Sequence, residues 1–263
     1  MKIELAGRRA LVSGSTQGIG YAIAVALARC GARVVVNGRG EATEAAAARL
    51  RDELPGADVT AVAADLGTAE GAETVREAAP ELDILVNNLG IFGAKPVLEV
   101  DDAEWRRYFE VNVLSAVRLI RMYLPGMMDR GWGRVTAIAS DSAIVTPVEM
   151  VHYGMTKTAL LAVTRGYAKA AAGTGVTVNS VLAGPTHTAG VETYVAELVG
   201  DELPWDEAQR RFMREYRPYS LLQRLIEPDE IANMVAYLSS DLASATTGGA
   251  LRVDGGYIDA IIP

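Results

Sequence analysis

The chain has 263 residues, half of them hydrophobic and 6% aromatic, which is enough to form the core of one large α/β domain. Acidic residues outnumber basic residues 33 to 25 and the net charge is −8, so neither nucleic acid nor an anionic membrane is an expected partner. A single cysteine excludes an intramolecular disulfide, and two widely separated histidines do not predict a metal site. The sequence contains no membrane-length apolar segment and no signal core, so we expect a cytoplasmic protein.

Short Val/Ile-rich segments alternate with longer Ala/Leu-rich segments of helical period. In chain order, the predicted strands are Arg9–Ser13, Arg33–Asn37, Val59–Ala63, Ile84–Asn87, Arg134–Ser140, Thr177–Val181 and Ala250–Val253. The predicted helices are Gly18–Cys30, Glu41–Leu54, Ala69–Ala79, Asp102–Leu124, His152–Ala172 and Pro228–Ser239. Pro125 and Gly126 are predicted to end the fourth helix. This alternation predicts a doubly wound α/β fold with a parallel sheet, and we predict a single domain over residues 1–263.

The first predicted strand runs directly into a glycine-rich turn and then a helix. Glycines at such a turn let the backbone approach a pyrophosphate, and the helix N-terminus supplies N–H donors and a positive dipole end. The spacing is GxxxGxG rather than the commoner GxGxxG, but its position after the first strand favours dinucleotide binding. The predicted cofactor contacts of this turn are Gly14, Ser15, Gln17, Gly18, Ile19 and Gly20.

The end of the second predicted strand indicates which dinucleotide is bound. An acidic residue there would hold the ribose 2′-hydroxyl of NAD. Instead, Gly38 would clear space and Arg39 could fork onto a 2′-phosphate, which favours NADP and leaves NAD possible if Arg39 points into solvent. Asp65, at the end of the third strand, could accept a hydrogen bond from the adenine amino group or cap the following helix.

Tyr153 and Lys157 are four residues apart on a predicted helix, so their side chains share one face. An ammonium at about 4 Å would contribute about 4 kcal/mol, which would lower the phenol pKa from about 10 by up to roughly three units. Desolvation of the phenolate opposes that effect, and a cationic nicotinamide ring would assist it. The pair is therefore a candidate for general acid–base chemistry, with an exposed Tyr and Lys as the alternative.

Residues 186–222 interrupt the strand–helix alternation with polar and aromatic residues. In α/β folds, a long insertion after the carboxyl end of a strand commonly forms a lid or a wall of the substrate site. We predict a substrate lid here, with a structural helical hairpin at the sheet edge as the alternative.

The joint order of these motifs resembles the short-chain dehydrogenase/reductase family, in its single-domain subclass, along essentially the whole chain. The matching segments are SGSTQGIG, ADL, NNLG, Asn112, Ser140, Tyr153-x-x-x-Lys157, VNSVLAGPTHT and VDGG. The resemblance includes enzymes similar to 3-oxoacyl-acyl-carrier-protein reductases. It implies a Rossmann fold of strand order 3-2-1-4-5-6-7. It also implies an NADP(H)-dependent oxidoreductase that interconverts a carbonyl and a secondary alcohol.

The resemblance also implies roles for four side chains. Tyr153 would be the general acid, and Lys157 would lower its pKa and bind the nicotinamide ribose. Ser140 would hydrogen-bond the substrate oxygen, with Ser142 as the rival if the loop is shifted. Asn112 would hold a water that links Lys157 to solvent. Further implied cofactor contacts are Leu66, Asn88, Gly90, Gly184, Thr186 and Thr188, and Tyr153 and Lys157 are also implied to contact the cofactor.

The chain departs from the family pattern at several positions. Leu89 replaces a small residue, and Ala183 replaces a proline. Gly131 and Thr174 stand where members that reduce carrier-bound acyl groups have arginines, so an acidic carrier protein is not expected as a partner. The resemblance implies a homotetramer acting on a small carbonyl or alcohol substrate. An NAD-dependent polyol or sugar dehydrogenase and a non-catalytic dinucleotide sensor are the alternatives.

Overall fold

The computed structural model describes residues 2–261, so Met1, Ile262 and Pro263 of the predicted domain lie outside the described residues. Within this range, seven strands form one parallel sheet in the predicted order 3-2-1-4-5-6-7. They are β1 (Arg9–Val12), β2 (Arg33–Gly38), β3 (Val59–Ala63), β4 (Ile84–Asn87), β5 (Gly133–Ser140), β6 (Val176–Ala183) and β7 (Ala250–Val253). All seven predicted strands are confirmed, each to within two residues.

Nine α-helices flank the sheet within residues 2–261, and none is both long and apolar enough to cross a membrane. They are α1 (Gly18–Arg29), α2 (Ala42–Glu53), α3 (Ala69–Ala78), α4 (Asp102–Phe109), α5 (Ser115–Asp129), α6 (Val151–Ala170), α7 (Ala189–Val199), α8 (Trp205–Tyr216) and α9 (Pro228–Leu238). A π-helical segment, Glu110–Leu114, joins α4 to α5.

The sheet is buried on both faces, which explains why its strands are runs of apolar residues. In β2, Val34 and Val36 belong to a core cluster with α1, α2 and α9, whereas Val35 belongs to a second cluster with α3, α5 and α6. Successive side chains of a strand point to opposite faces, so three consecutive valines serve both clusters. Each fully buried aliphatic side chain contributes about 1.5–3 kcal/mol. With both faces covered, ligands have access at the sheet edges.

The long helix predicted over Asp102–Leu124 is instead α4, the π-helical segment and α5. The prediction that Pro125 and Gly126 end it is wrong, because α5 continues to Asp129 with Pro125 inside it. Leu124 and Met127 on either side of the proline are buried in the core. Packing against the sheet therefore outweighs the hydrogen bond that the exposed Pro125 cannot donate.

Residues 186–222 contain two helices that the sequence reading did not predict, α7 and α8. Tyr194 and Val195 of α7 pack against Phe212 and Met213 of α8 in a cluster of their own, which Tyr153 also contacts. Helix α8 is strongly amphipathic, with charged residues on its outer face. The two helices pack on each other, and residues of both also line the cavity described below.

Candidate active site

A cavity of about 310 Å³ opens at the carboxyl ends of the central strands. The glycine turn after β1, the ends of β4, β5 and β6, and helices α6 to α8 surround it. Thirteen of the predicted site residues line this cavity: Gly14, Gln17, Gly18, Ile19, Gly20, Asn88, Gly90, Ser140, Tyr153, Lys157, Gly184, Thr186 and Thr188. Residues far apart in sequence are therefore brought together where parallel strands end.

Five predicted site residues are not part of the cavity lining in the described chain: Ser15, Arg39, Asp65, Leu66 and Asn112. The Ser15 hydroxyl donates to the carbonyl of Val12 at 2.7 Å, so it holds the turn together. Leu66 is buried in the hydrophobic core, which leaves its backbone as the group that could contact a ligand.

The glycine turn has the features expected of a pyrophosphate cradle. A Cβ atom on Gly20 would lie 2.4 Å from the carbonyl oxygen of Gly14 and 2.5 Å from Asn88 Nδ2, so only glycine fits. Asn88 Nδ2 donates to the carbonyls of Ser13 and Gly14 at 3.0 Å, which fixes the turn. Gln17, at the N-cap of α1, makes no side-chain capping bond, so the first N–H groups of α1 are free to bind an anion.

Two residues that sequence reasoning missed hold this turn in place. The Ser13 hydroxyl accepts hydrogen bonds from the N–H groups of Asn88 and Leu89 at 2.9 and 3.0 Å. Asn37 Oδ1 accepts from the Gly14 N–H at 3.3 Å, and its Nδ2 donates to two backbone carbonyls at the end of β3 at 3.1 Å. A buried polar residue at the end of an otherwise apolar strand was the available signal.

The end of β2 differs from the expectation at Gly38. A Cβ atom there would lie 2.3 Å from Thr16 Cγ2, so this glycine permits close packing of the turn rather than clearing space for a phosphate. Arg39 is exposed and makes no hydrogen bond or ion pair within residues 2–261. It is available to an anionic group.

Asp65 is exposed, and its Oδ1 accepts from the Gly67 N–H at 2.9 Å. The suggestion that Asp65 caps the next helix is wrong, because the side chain of Thr68 caps α3 by accepting from Gly71 N–H at 3.0 Å. Its remaining carboxylate oxygen is available for another donor.

Helix α6 places the half-buried Tyr153 and the buried Lys157 together at the cavity. Lys157 Nζ lies 5.5 Å from the Tyr153 ring centroid and donates to the carbonyl of Ile138 at 2.8 Å. Burial lowers the pKa of Lys157 to about 8. Burial also raises the pKa of Tyr153 above its ordinary value, opposite to the lowering that the i, i+4 spacing suggested. Desolvation dominates the pKa of Tyr153 in this structure, and Lys157 does not contribute to lowering it.

Ser140 lines the cavity together with Tyr153, and its hydroxyl opposes the burial-driven rise in the pKa of Tyr153. The Ser140 hydroxyl also donates to Asp141 Oδ1 at 2.8 Å and accepts from the Ser142 N–H at 3.1 Å. The Ser142 hydroxyl donates to the same Asp141 Oδ1, at 3.4 Å. Both serines line the cavity, and of the two only Ser140 affects the pKa of Tyr153.

Asn112 lies inside the π-helical segment, and its side chain is almost fully used. Its Nδ2 donates to the Ile91 carbonyl at 2.9 Å and to Thr156 Oγ1 at 3.0 Å, while its Oδ1 accepts from the Ile91 N–H at 2.8 Å. One lone pair of Oδ1 remains for a water. Lys157 Nζ and Asn112 Oδ1 both border Gly90, at 3.4 and 3.5 Å from the position of a Cβ atom there.

The residues that depart from the family pattern lie in three different parts of the structure. Leu89 packs against the core cluster that holds α3, α5 and α6, and within the described chain it is not a cavity-lining residue. Ala183 ends β6 and lines the cavity. Gly131 and Thr174 precede β5 and β6, so they lie at the opposite edge of the sheet from the cavity.

Comparison with known proteins gives consistent results. A family model described as enoyl-(acyl carrier protein) reductase matches residues 14–258. The chain is 50% identical to the uncharacterized oxidoreductase YvaG of Bacillus subtilis, over 99% of this chain and 100% of that protein. It is 34% identical to the D-beta-hydroxybutyrate dehydrogenase of Cupriavidus necator, over 97% of this chain and 99% of that protein. The structure of L-sorbose reductase from Gluconobacter frateurii, complexed with NADPH and L-sorbose, matches with a TM-score of 0.92 at 32% identity, covering 99% of this chain and 100% of that chain.

Proposed function

The chain belongs to the short-chain dehydrogenase/reductase family of oxidoreductases, and we propose that it interconverts a carbonyl and a secondary alcohol with NADP(H), using Tyr153 as general acid and base. The observation that carries this proposal is the buried group formed by Tyr153, Lys157 and Ser140 beside the uncapped start of α1, in one cavity. We further propose one catalytic domain over 1–263, with residues 186–222 as its substrate lid.

The residues present fit a nicotinamide dinucleotide. The glycine turn and the first N–H groups of α1 would hold the pyrophosphate, and Lys157 would donate to the nicotinamide ribose. When bound, the dinucleotide supplies or accepts the hydride. The exposed guanidinium of Arg39 could bind the 2′-phosphate of NADP, which is why we propose NADP, and an Arg39 that stays in solvent is the NAD alternative. The relative complexed with NADPH is consistent with this choice.

The chain's own residues would manage the proton. Tyr153 would donate its phenolic proton to the substrate oxygen during reduction and take it back during oxidation. Ser140 would hydrogen-bond the same oxygen, because it lines the cavity together with Tyr153. With a pKa of about 8, Lys157 is mostly protonated at pH 7 and would stabilise the phenolate. Asn112 would hold a water that resupplies Lys157 with protons, through the free lone pair of its Oδ1.

The names of the relatives leave the substrate class open. One acts on an acid, D-beta-hydroxybutyrate, and one on a neutral sugar, L-sorbose. An NAD-dependent polyol or sugar dehydrogenase is therefore the second candidate, and a non-catalytic dinucleotide sensor is the third. We propose a small carbonyl or alcohol as substrate, a homotetramer as the assembly and the cytoplasm as the location.

The test is oxidation of NADPH and NADH over a panel of ketones, aldehydes, quinones and cyclic diketones. Tyr153→Phe should lower kcat by roughly 10²–10⁴-fold, because a general acid contributes about this much. Its affinity for NADPH, followed by nucleotide fluorescence, should be unchanged. Tyr167→Phe is the matched control, since Tyr167 lies further along α6 and packs against the core. Undiminished turnover by Tyr153→Phe would refute the mechanism, and NADPH binding without any turnover would favour the sensor.

A further inference from the structure

Arg217, the residue that follows α8, is a buried cation lining the same cavity as Tyr153. It is 7% exposed, and its guanidinium carbon lies 5.3 Å from the ring centroid of Phe212 and 5.6 Å from that of Tyr257. Its Nη1 donates to the Tyr216 carbonyl at 2.7 Å, but its Nε is buried without an acceptor in the described chain. Aromatic contacts compensate only part of the cost of burying a charge.

In a second buried arginine of the same chain, hydrogen bonds and an ion pair compensate the cost of burying the charge. Arg134 is 2% exposed, and its guanidinium donates to three backbone carbonyls and pairs with Asp241 at 3.3 Å. Among residues 2–261, no carboxylate lies within ion-pair distance of Arg217. Because the guanidinium of Arg217 is buried at the cavity wall without a carboxylate partner in the described chain, it can bind an anionic ligand.

Two acids, Asp141 and Glu149, lie near this end of the cavity and accept hydrogen bonds from other residues. Asp141 Oδ1 accepts from Ser140 at 2.8 Å, whereas Oδ2 is buried without a partner. Burial raises the pKa of Asp141, and the charge of Arg217 opposes that rise. Glu149 accepts from the Tyr194 hydroxyl at 3.2 Å. Within residues 2–261 neither acid pairs with Arg217, and their negative charges make this end of the cavity unfavourable for a dianion.

The chemistry of the pocket selects one kind of ligand. A guanidinium offers a planar pair of donors that match the two oxygens of a carboxylate. A phosphate fits the same donors, but its second charge would meet Asp141 and Glu149. The cavity of about 310 Å³ accommodates a small molecule. Because Tyr153 and Arg217 line the same cavity, one such molecule can contact both.

We propose that Arg217 binds a carboxylate of the substrate, so that the enzyme acts on small oxo acids and the corresponding hydroxy acids. The inference deepens the proposed function and rests on it. In reduction, the carbonyl carbon receives a hydride from the reduced dinucleotide and the carbonyl oxygen receives the proton of Tyr153. The products are the hydroxy acid and the oxidised dinucleotide. The carboxylate takes no part in the reaction and serves to position the carbonyl.

The test compares short oxo acids with their methyl esters in the wild type, Arg217→Met and Arg217→Lys. The wild type should prefer the acids, and Arg217→Met should lower kcat/KM for acids roughly 10- to 100-fold, mainly through KM, because a hydrogen bond to a charged group is lost. Turnover of the esters, which lack the carboxylate, should fall much less in Arg217→Met than turnover of the acids. Arg217→Lys should recover part of the acid preference. Arg211→Met is the control, because Arg211 lies on the exposed side of α8 and pairs with Glu215.

Binding of butyrate and butyramide, followed as a rise in Tm, gives a readout that needs no turnover. Butyrate should stabilise the wild type and not Arg217→Met, whose own fold is checked by circular dichroism. If the wild type turns over no substrate but retains this butyrate effect, the proposed reaction fails while the carboxylate site stands. The inference is overturned if acids and esters lose activity equally in Arg217→Met. It is also overturned if butyrate gives no Arg217-dependent effect, or if inorganic phosphate replaces butyrate as the stabilising anion.

Discussion

The ammonium of Lys157 is almost completely removed from water, and this affects both stability and catalysis. Burial lowers the pKa of Lys157 from 10.5 to about 8, while one hydrogen bond to the Ile138 carbonyl at 2.8 Å supports the charge. Between pH 8 and 10.5 the unfolded chain binds a proton that the folded chain has released, so stability rises with pH in this window. Below pH 8 both states are protonated and the full cost of burial applies.

Lys157→Met should therefore stabilise the fold at pH 7 although it abolishes turnover. A shift of this size corresponds to roughly 3 kcal/mol, from which about 1 kcal/mol is subtracted for the lost hydrogen bond. The net gain of roughly 2 kcal/mol should disappear as the pH approaches 10.5. Urea unfolding at pH 7 and pH 10 measures it, with the exposed Lys169→Met on the same helix as control. An equal gain in the free energy of unfolding at both pH values would contradict a lowered pKa of Lys157 as its cause.

Arg39 should determine the choice between NADPH and NADH. We expect Arg39→Met to raise KM for NADPH roughly 10- to 100-fold, since a charge-assisted bond to the 2′-phosphate is removed, and to leave KM for NADH unchanged. Steady-state kinetics with both nucleotides measure the effect. Arg33→Met, at the other end of β2, is the control. Identical changes for the two nucleotides would show that Arg39 does not contact the 2′-phosphate.

Among the elements, the α4–α5 region shows how packing overrides local preference. The π-helical segment Glu110–Leu114 inserts one extra residue per turn and places Asn112 toward Ile91 and Thr156. Further along, α5 passes through Pro125 because buried residues on both sides anchor it to the sheet. The hydrogen bond missing at Pro125 therefore lies on the solvent side of α5, while contacts on the buried side keep the helix continuous.

Pro125→Ala should increase the stability of α5. Alanine restores the missing N–H donor and avoids a helix-interior cost of about 3 kcal/mol, offset by about 1 kcal/mol from the greater freedom of the unfolded chain. We expect a net gain of roughly 2 kcal/mol in chemical unfolding. Arg121→Ala, at an exposed position one turn earlier, should change stability by much less. No gain in Pro125→Ala would mean that α5 is relaxed around the proline.

At the scale of the whole molecule, the exposed face of α6 around Gly166 is a candidate contact between subunits. Gly166 is exposed in the middle of this helix, where a Cβ atom would meet nothing within 4 Å. A glycine in a helix interior costs about 1 kcal/mol relative to alanine, and nothing within the described chain requires it. Close packing against α6 of another subunit would supply the reason, in keeping with the proposed tetramer.

Light scattering after gel filtration should give a mass near four times 27.9 kDa for the wild type. Gly166→Glu should shift the protein to smaller species at the same concentration, because a charged side chain would be forced into the interface. Ala48→Glu, at an exposed position of α2, should leave the mass unchanged. A tetramer that survives Gly166→Glu would exclude this face of α6 from the interface.

The fold was predictable from local patterns. Apolar runs of strand length, Ala-rich helices and the turn at Gly14–Gly20 each depend on residues close in sequence, and the strand order followed from the family resemblance. The spacing of Tyr153 and Lys157 likewise required only one turn of helix. These features could be predicted because each depends on residues that are close in sequence and therefore also close in the folded chain.

Other properties, such as pKa shifts and the burial of charged side chains, depend on contacts between elements that are distant in sequence. The pKa of Tyr153 is raised because α6, β5 and the α7–α8 pair bury it, and no spacing along the helix contains that information. Ser13 and Asn37 support the glycine turn through bonds between different strands. Arg217 looks like a surface arginine in the sequence and becomes a buried cation only where α8 meets the cavity wall. Desolvation and long-range contacts arise from the assembled fold, so sequence patterns could locate the reaction chemistry but not the charge environment that selects its substrate.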